Sequence, residues 1–195
     1  MRFILLALLP AVMFFTACNN SSKPATANNA APAAPATATL TPESDLTKDQ
    51  TAALMNVVST YYSLKDALVA ADGNKADEAA SKLLSAAELF NHDVAGQPQH
   101  TEMQPQLQKI MAACDVINNP RTSDIEAKRQ QFSTISDAMF QVLKKAGLRH
   151  GGVYQEFCPM AFNDKGAYWL SAESEIKNPY FGKKMLECGE VRDSL

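Results

Sequence analysis

The chain has no surplus of positive charge and few histidines. Its 18 Lys and Arg are outnumbered by 21 Asp and Glu, for a net charge of −3. These charges are evenly spread, which argues against nucleic acid as a partner, since that needs a basic patch. His92 and His100 stand singly near helix ends as expected surface residues, and nothing resembles the Glu-x-x-His pair of di-iron bundles. A nucleophile elbow, a phosphate loop, a convincing acid/base pair and a Cys-x-x-Cys motif are all missing, so a binding protein is expected rather than an enzyme. The apolar run Phe3–Phe15, interrupted by Pro10, is too short to span a bilayer.

That run follows the positive end Met1-Arg2 and has the length of a signal-peptide core. It closes in Phe15-Thr16-Ala17-Cys18, which resembles a bacterial lipoprotein box, although Phe15 is less usual there than leucine. The expectation is a signal peptide over 1–17 and an acylated Cys18 that anchors the chain to a bacterial membrane without crossing it. At about 0.8 kcal/mol per buried methylene, several acyl chains hold firmly. An ordinary cleavable signal with an incidental cysteine is the alternative. Residues 18–46 are rich in Ala, Pro, Thr, Asn and Ser, a composition that cannot offset its own ordering entropy and reads as a disordered tether. The globular part then works in the periplasm or on the cell surface, with the outer membrane the favoured site of anchorage.

Residues 47–195 are long enough for one domain. Four stretches show helical periodicity. Thr47 and Gln50 form a capping box before the stripe Leu54, Val57, Val58, Tyr61, Leu64 and Leu68, which closes near Asp72-Gly73. Asn74 is expected to cap a second helix facing inward through Ala76, Ala79, Ala80, Leu83, Ala87, Phe90 and Val94, ended by Gly96 and Pro98. Met103, Leu107, Ile110, Met111, Cys114 and Ile117 stripe a third, stopped at Asn118-Asn119-Pro120. Ser123 and Glu126 suggest another capping box, before Phe132, Ile135, Met139, Val142, Leu143 and Ala146, with Gly147 as the stop. The fold class expected is mainly α: an antiparallel up-down four-helix bundle, then a small irregular C-terminal segment with a short hairpin. Cys114 and the methionines Met103, Met111 and Met139 are expected as core; His100 with Met103 is a weak second metal candidate.

The tail, 153–195, holds the unusual chemistry. Alternation through Val153–Cys158 predicts a strand, Asn163-Asp164-Lys165-Gly166 a turn, and Tyr168-Trp169-Leu170 a return. Cys158 and Met160, two apart, share a face if extended; Met185 and Cys188, three apart, are neighbours if Lys183–Cys188 forms a helical turn. Trp169, Tyr180 and Phe181 would shield the sulfurs. Soft thioether sulfur is a poor ligand for hard divalent ions and suits Cu(I), and by the same preference Ag(I). With Cys18 set aside three cysteines remain, and an odd number leaves at least one free thiol, a ligand or an intermolecular bridge. A structural Cys158–Cys188 disulfide with packed methionines is the competing expectation, favoured by an oxidising compartment.

Tyr61-Tyr62-x-Leu-Lys-Asp-Ala-Leu68, Cys158-Pro-Met-Ala-Phe162, Gly166-Ala-Tyr-Trp-Leu-Ser171, Glu175-Ile-Lys-Asn-Pro-Tyr-Phe-Gly182 and Met185-x-x-Cys-Gly189 resemble a bacterial domain of unknown function, family 3347, over roughly Gln50–Val191. That family occurs in Bacteroidetes as free lipoproteins and fused to periplasmic adaptors of copper/silver efflux pumps. The resemblance implies a setting in copper and silver handling, with an efflux adaptor as a partner, and no established activity. Cys-Pro-Met also resembles the opening of a heavy-metal-binding motif that continues with histidine. Ala161 stands there instead, so the carry-over rests on Cys158 and Met160.

Overall fold

A computed structural model describes residues 41–195. The expected signal peptide, Cys18 and the tether as far as residue 40 lie outside the described residues. Thr41–Leu46, assigned above to the tether, is instead pinned to the end of the bundle. Glu43 and Arg149 exchange backbone hydrogen bonds of 2.9 and 2.8 Å, and the Asp45 N–H donates to Ala146 at 2.8 Å. The Arg149 guanidinium closes the clasp on Asp45 at 2.9 Å.

The four helices are α1 (Lys48–Val69), α2 (Gly73–Asp93), α3 (His100–Asn118) and α4 (Ile125–Lys145). Short connections over 70–72, 94–99 and 119–124 make each helix turn back on the last, as the stripes predict. Every stripe residue is buried except Met111, which is half-buried against the core. The Thr47–Gln50 capping box is present. The other two caps are corrections: α2 is capped by Asp72, which accepts from the Lys75 N–H, and α4 by Asp124, which accepts from the Glu126 N–H. The carboxylate of Asp72, two residues before Asn74, or of Asp124, one residue after Ser123, satisfies the first-turn donors better than the neutral side chain expected there, because it also complements the helix dipole. Likewise α1 ends at Val69 through a left-handed Ala71, and Gly73 opens α2 rather than closing α1.

Each helix packs on the next, while α1 and α4 meet along a narrower seam. Aromatic groups fill that seam. Tyr61 stacks on Phe132 with centroids 5.1 Å apart, and its hydroxyl pairs with Ser136 at 2.7 Å. The C-terminal segment docks here as a three-stranded antiparallel sheet, β1 (Tyr154–Cys158), β2 (Ala167–Ser171) and β3 (Glu190–Ser194), in the order β2-β1-β3. The Leu170 N–H of β2 donates to the Tyr61 hydroxyl at 3.0 Å, tying sheet to bundle. The hairpin β1–β2 matches expectation. β3 does not appear in the sequence reading, since Glu190-Val191-Arg192-Asp193-Ser194 is exposed throughout and has no inward face to give an alternating pattern.

Two polar side chains fasten the long connection after β2. Arg129, buried on α4, donates through Nε to the Pro179 carbonyl at 2.8 Å and through a terminal nitrogen to the Leu68 carbonyl at 3.2 Å. Asn178, fully buried, donates its N–H to the Leu186 carbonyl at 2.8 Å and its side-chain amide to the Cys188 carbonyl at 2.6 Å. Its side-chain oxygen accepts from the Tyr180 N–H at 2.8 Å. Asn178 therefore folds 178–188 into a closed loop.

Candidate soft-metal site

The two cysteines expected to converge do so. Cys158 ends β1 and is fully buried, Cys188 ends the Asn178 loop half-buried, and their sulfurs lie 2.6 Å apart. Chain segments 30 residues apart in sequence deliver them. The Cys188 thiol is pushed up to about 11, first by desolvation and then by its contact with Cys158; the backbone N–H of Met160 pulls the other way. A thiol held so high is protonated at neutral pH, so a soft ion must displace that proton to gain a thiolate ligand.

The methionines part from the cysteines. β1 stops at Cys158, and Met160 adopts a helical backbone (φ −87°, ψ −7°) instead of continuing the strand, so the two do not share a face. Met160 is 47% exposed while Cys158 is sealed. After it, Phe162, Asn163 and Asp164 are all left-handed, with φ of 54°, 59° and 62°. Such backbone costs about 1–3 kcal/mol per residue and persists only where surrounding packing holds it. The hold here comes from buried Ala161, the Phe162 ring on Tyr180 (5.2 Å, edge-on) and a Gly166 N–H bond to the Ala161 carbonyl at 3.0 Å.

Lys183–Cys188 is not one helical turn. A short 3₁₀ turn covers Gly182–Lys184, Met185 leaves helical space at φ −147°, and a separate turn closes with the Cys188 N–H on the Met185 carbonyl at 3.1 Å. Gly182 is the pivot: its φ is +55°, and a Cβ there would sit 3.0 Å from the Val69 carbonyl oxygen. Met160 and Met185 line one cleft of about 440 Å³ together with Phe162, Tyr180 and Phe181, and neither cysteine lines it. Of the expected shielding aromatics, Trp169 and Tyr180 are buried in the core, and Phe181 faces the methionine cleft.

One buried ionisable group shares the strand with Cys158. Glu156, two residues before Cys158 on β1, is fully buried opposite Trp169. Neither carboxylate oxygen closes a hydrogen bond, and the Trp169 indole N–H and the Tyr62 hydroxyl nearby are also unpaired. Burial pushes the Glu156 carboxyl up to about 7, against the pull of Lys65 and the indole. Sequence reasoning missed Glu156, although a glutamate on the inward side of an alternating run was a visible signal. It missed Asn178 too, where only the Asn-Pro turn pointed to a special role.

Cys114 is a core thiol, fully buried and pushed up to about 12 by desolvation. The weak His100–Met103 candidate does not form a site: Met103 is fully buried, and the His100 ring pairs with Asn91 at 3.1 Å. Among the described residues, no three or more His, Cys, Asp or Glu side chains gather as metal ligands, and no helix is long and apolar enough to cross a membrane.

Residues 57–151 match a family model described as a protein of unknown function, DUF3347. The matched span covers the bundle from mid-α1 and ends before β1, so neither Cys158 nor Cys188 lies within it. No curated protein and no solved structure matches the chain.

Proposed function

We propose a function from the premise that this chain belongs to the DUF3347 family, whose description assigns no activity. The proposed role is that of a binding protein, not an enzyme, which takes Cu(I) or Ag(I) as cargo at Cys158 and Cys188. The observation that carries this reading is the approach of the two sulfurs to 2.6 Å from separate chain segments. Two thiolates give a soft monovalent ion charge and polarisability together, and such ligands select Cu(I) over hard ions.

Sulfurs flanking a metal at roughly 2.3 Å each stand up to about 4.6 Å apart, so loading requires the pair to open. Cys188 is the partner able to give way, since its neighbours Lys183, Lys184, Leu186 and Glu187 are all exposed. The setting proposed is the bacterial envelope, with Cys18 acylated and the outer membrane the favoured anchor. The efflux adaptor suggested by family resemblance is the partner that would receive the cargo. Anchorage has its own test: Cys18→Ser should release the protein from the membrane fraction or block its maturation. Unchanged partitioning with an unmodified N-terminal peptide would reject it.

The same short separation favours a second reading, a Cys158–Cys188 disulfide that staples the tail. A thiol count on aerobically purified, denatured protein divides the two. The cargo reading expects Cys114, Cys158 and Cys188 all to react once any bound metal is removed. The staple leaves Cys114 alone reactive until a reductant is added.

A further inference from the structure

We infer that the cleft holding Met160 and Met185 is a second binding site for a soft monovalent cation, separate from the thiol pair and able to bind while that pair is oxidised. The inference shares only the class of metal with the function proposed above; its ligands and its dependence on oxidation state are its own.

The separation is the starting observation. Met160 and Met185, 25 residues apart in sequence, both line one cleft of about 440 Å³, and the cysteines do not line it. Met160 is 47% exposed, so its sulfur can be reached from solvent. The left-handed run Phe162-Asn163-Asp164 takes the chain away from the strand line just after Met160. A plain two-residue continuation of β1 would have put that sulfur beside Cys158 instead. The rest of the wall suits a cation. Phe162, Tyr180 and Phe181 line it with aromatic rings, and Asp164 and the Arg129-paired Glu126 add carboxylates. Thioethers carry no proton to displace and cannot join in a disulfide, so this site has no reason to close when Cys158 and Cys188 are oxidised. Neutral sulfur also binds less tightly than thiolate, as suits a station that passes cargo on. Zn²⁺, Mg²⁺ and Ca²⁺ gain little from two thioethers.

The test is an Ag(I) titration of the full chain labelled at its methionine methyl groups with ¹³C, observed by NMR. Met55, Met103, Met111 and Met139 are internal controls for the fold. Two preparations lack the thiol site: the Cys158→Ser/Cys188→Ser double variant, and the parent oxidised to its disulfide should the double variant not fold. The expected result is that the Met160 and Met185 signals shift together and saturate at one equivalent while the controls stay still. Met160→Leu or Met185→Leu should weaken that binding by about tenfold or more, and Zn²⁺ should move neither signal. If both methyls move in the reduced parent but not when the thiols are blocked, there is one joint four-sulfur site, and the inference is wrong while the thiol function stands. If they move only when the thiols are blocked or in both states, with Cys188→Ser silent for metal in the reduced protein, the cleft is a site and the thiol function fails. No movement in any preparation rejects the cleft outright.

Discussion

Two buried polar residues, Glu156 and Asn178, shape how the tail behaves. Glu156 is the less settled, because a fully buried carboxylate without a hydrogen bond prefers its neutral form. Its acid constant near 7 lies above the ordinary value of 4.5, so the fold binds the proton more tightly than the unfolded chain does. The sign follows from linkage: the stabilisation from this group is complete below about pH 4.5 and is lost as pH rises through about 7. We predict that Glu156→Gln removes this loss and leaves the variant up to about 3 kcal/mol more stable than the parent at pH 8, with little difference near pH 4. Denaturation of metal-free protein across that range checks it; parallel pH profiles for parent and variant would contradict it. Asn178 acts on geometry instead. Removing its side chain strips the Cys188 carbonyl and the Tyr180 N–H of partners. Asn178→Ala should cost about 1–3 kcal/mol and speed alkylation of Cys188 in reduced protein. An unchanged alkylation rate would show that the loop is held by other contacts.

Among the elements, the bundle and the sheet rest on different physics. The helices stand on apolar stripes: Leu107→Ala or Ile135→Ala should cost about 2–5 kcal/mol by chemical denaturation, and a value under about 1 kcal/mol would deny them a place in the core. The sheet adds polar fastenings to the burial of Trp169, Leu170 and Tyr180. Arg129→Met should leave the Pro179 and Leu68 carbonyls unpaired and loosen the aromatic seam. The near-ultraviolet signal of Trp169 should then weaken while helical circular dichroism persists. Loss of both together would mean that bundle and tail fold as one unit. The same contrast explains what was legible in the sequence. Leu54, Phe90, Ile110 and Val142 announce their helices by spacing, because burial on one face imposes a period. Asp72 and Asp124 escaped notice because several oxygen-bearing residues crowd each helix start, and only the backbone geometry selects one. β3 escaped because its stabilisation is backbone pairing, which leaves no trace in side-chain type. Convergence of Cys158 with Cys188 was legible from their chemistry. The divergence of Met160 was not, since three successive left-handed residues without glycine contradict local preference and are held by the surrounding packing and the Gly166–Ala161 hydrogen bond.

At the scale of the whole molecule, the bundle is a packed base on whose α1–α4 seam a sulfur-bearing tail is mounted. The anchor proposed at Cys18 would tie it to a membrane. Its central claim is that the thiol pair takes a soft monovalent ion. Competition titration of the reduced protein against a Cu(I) chelator, with parent and Cys188→Ser compared side by side, tests this most directly. The parent is expected to withdraw one Cu(I) from the chelator at concentrations where Cys188→Ser withdraws at least about tenfold less, with Zn²⁺ a poor competitor. If the parent holds no more Cu(I) than Cys188→Ser, the thiols are not a cargo site and the pair is a staple for the tail.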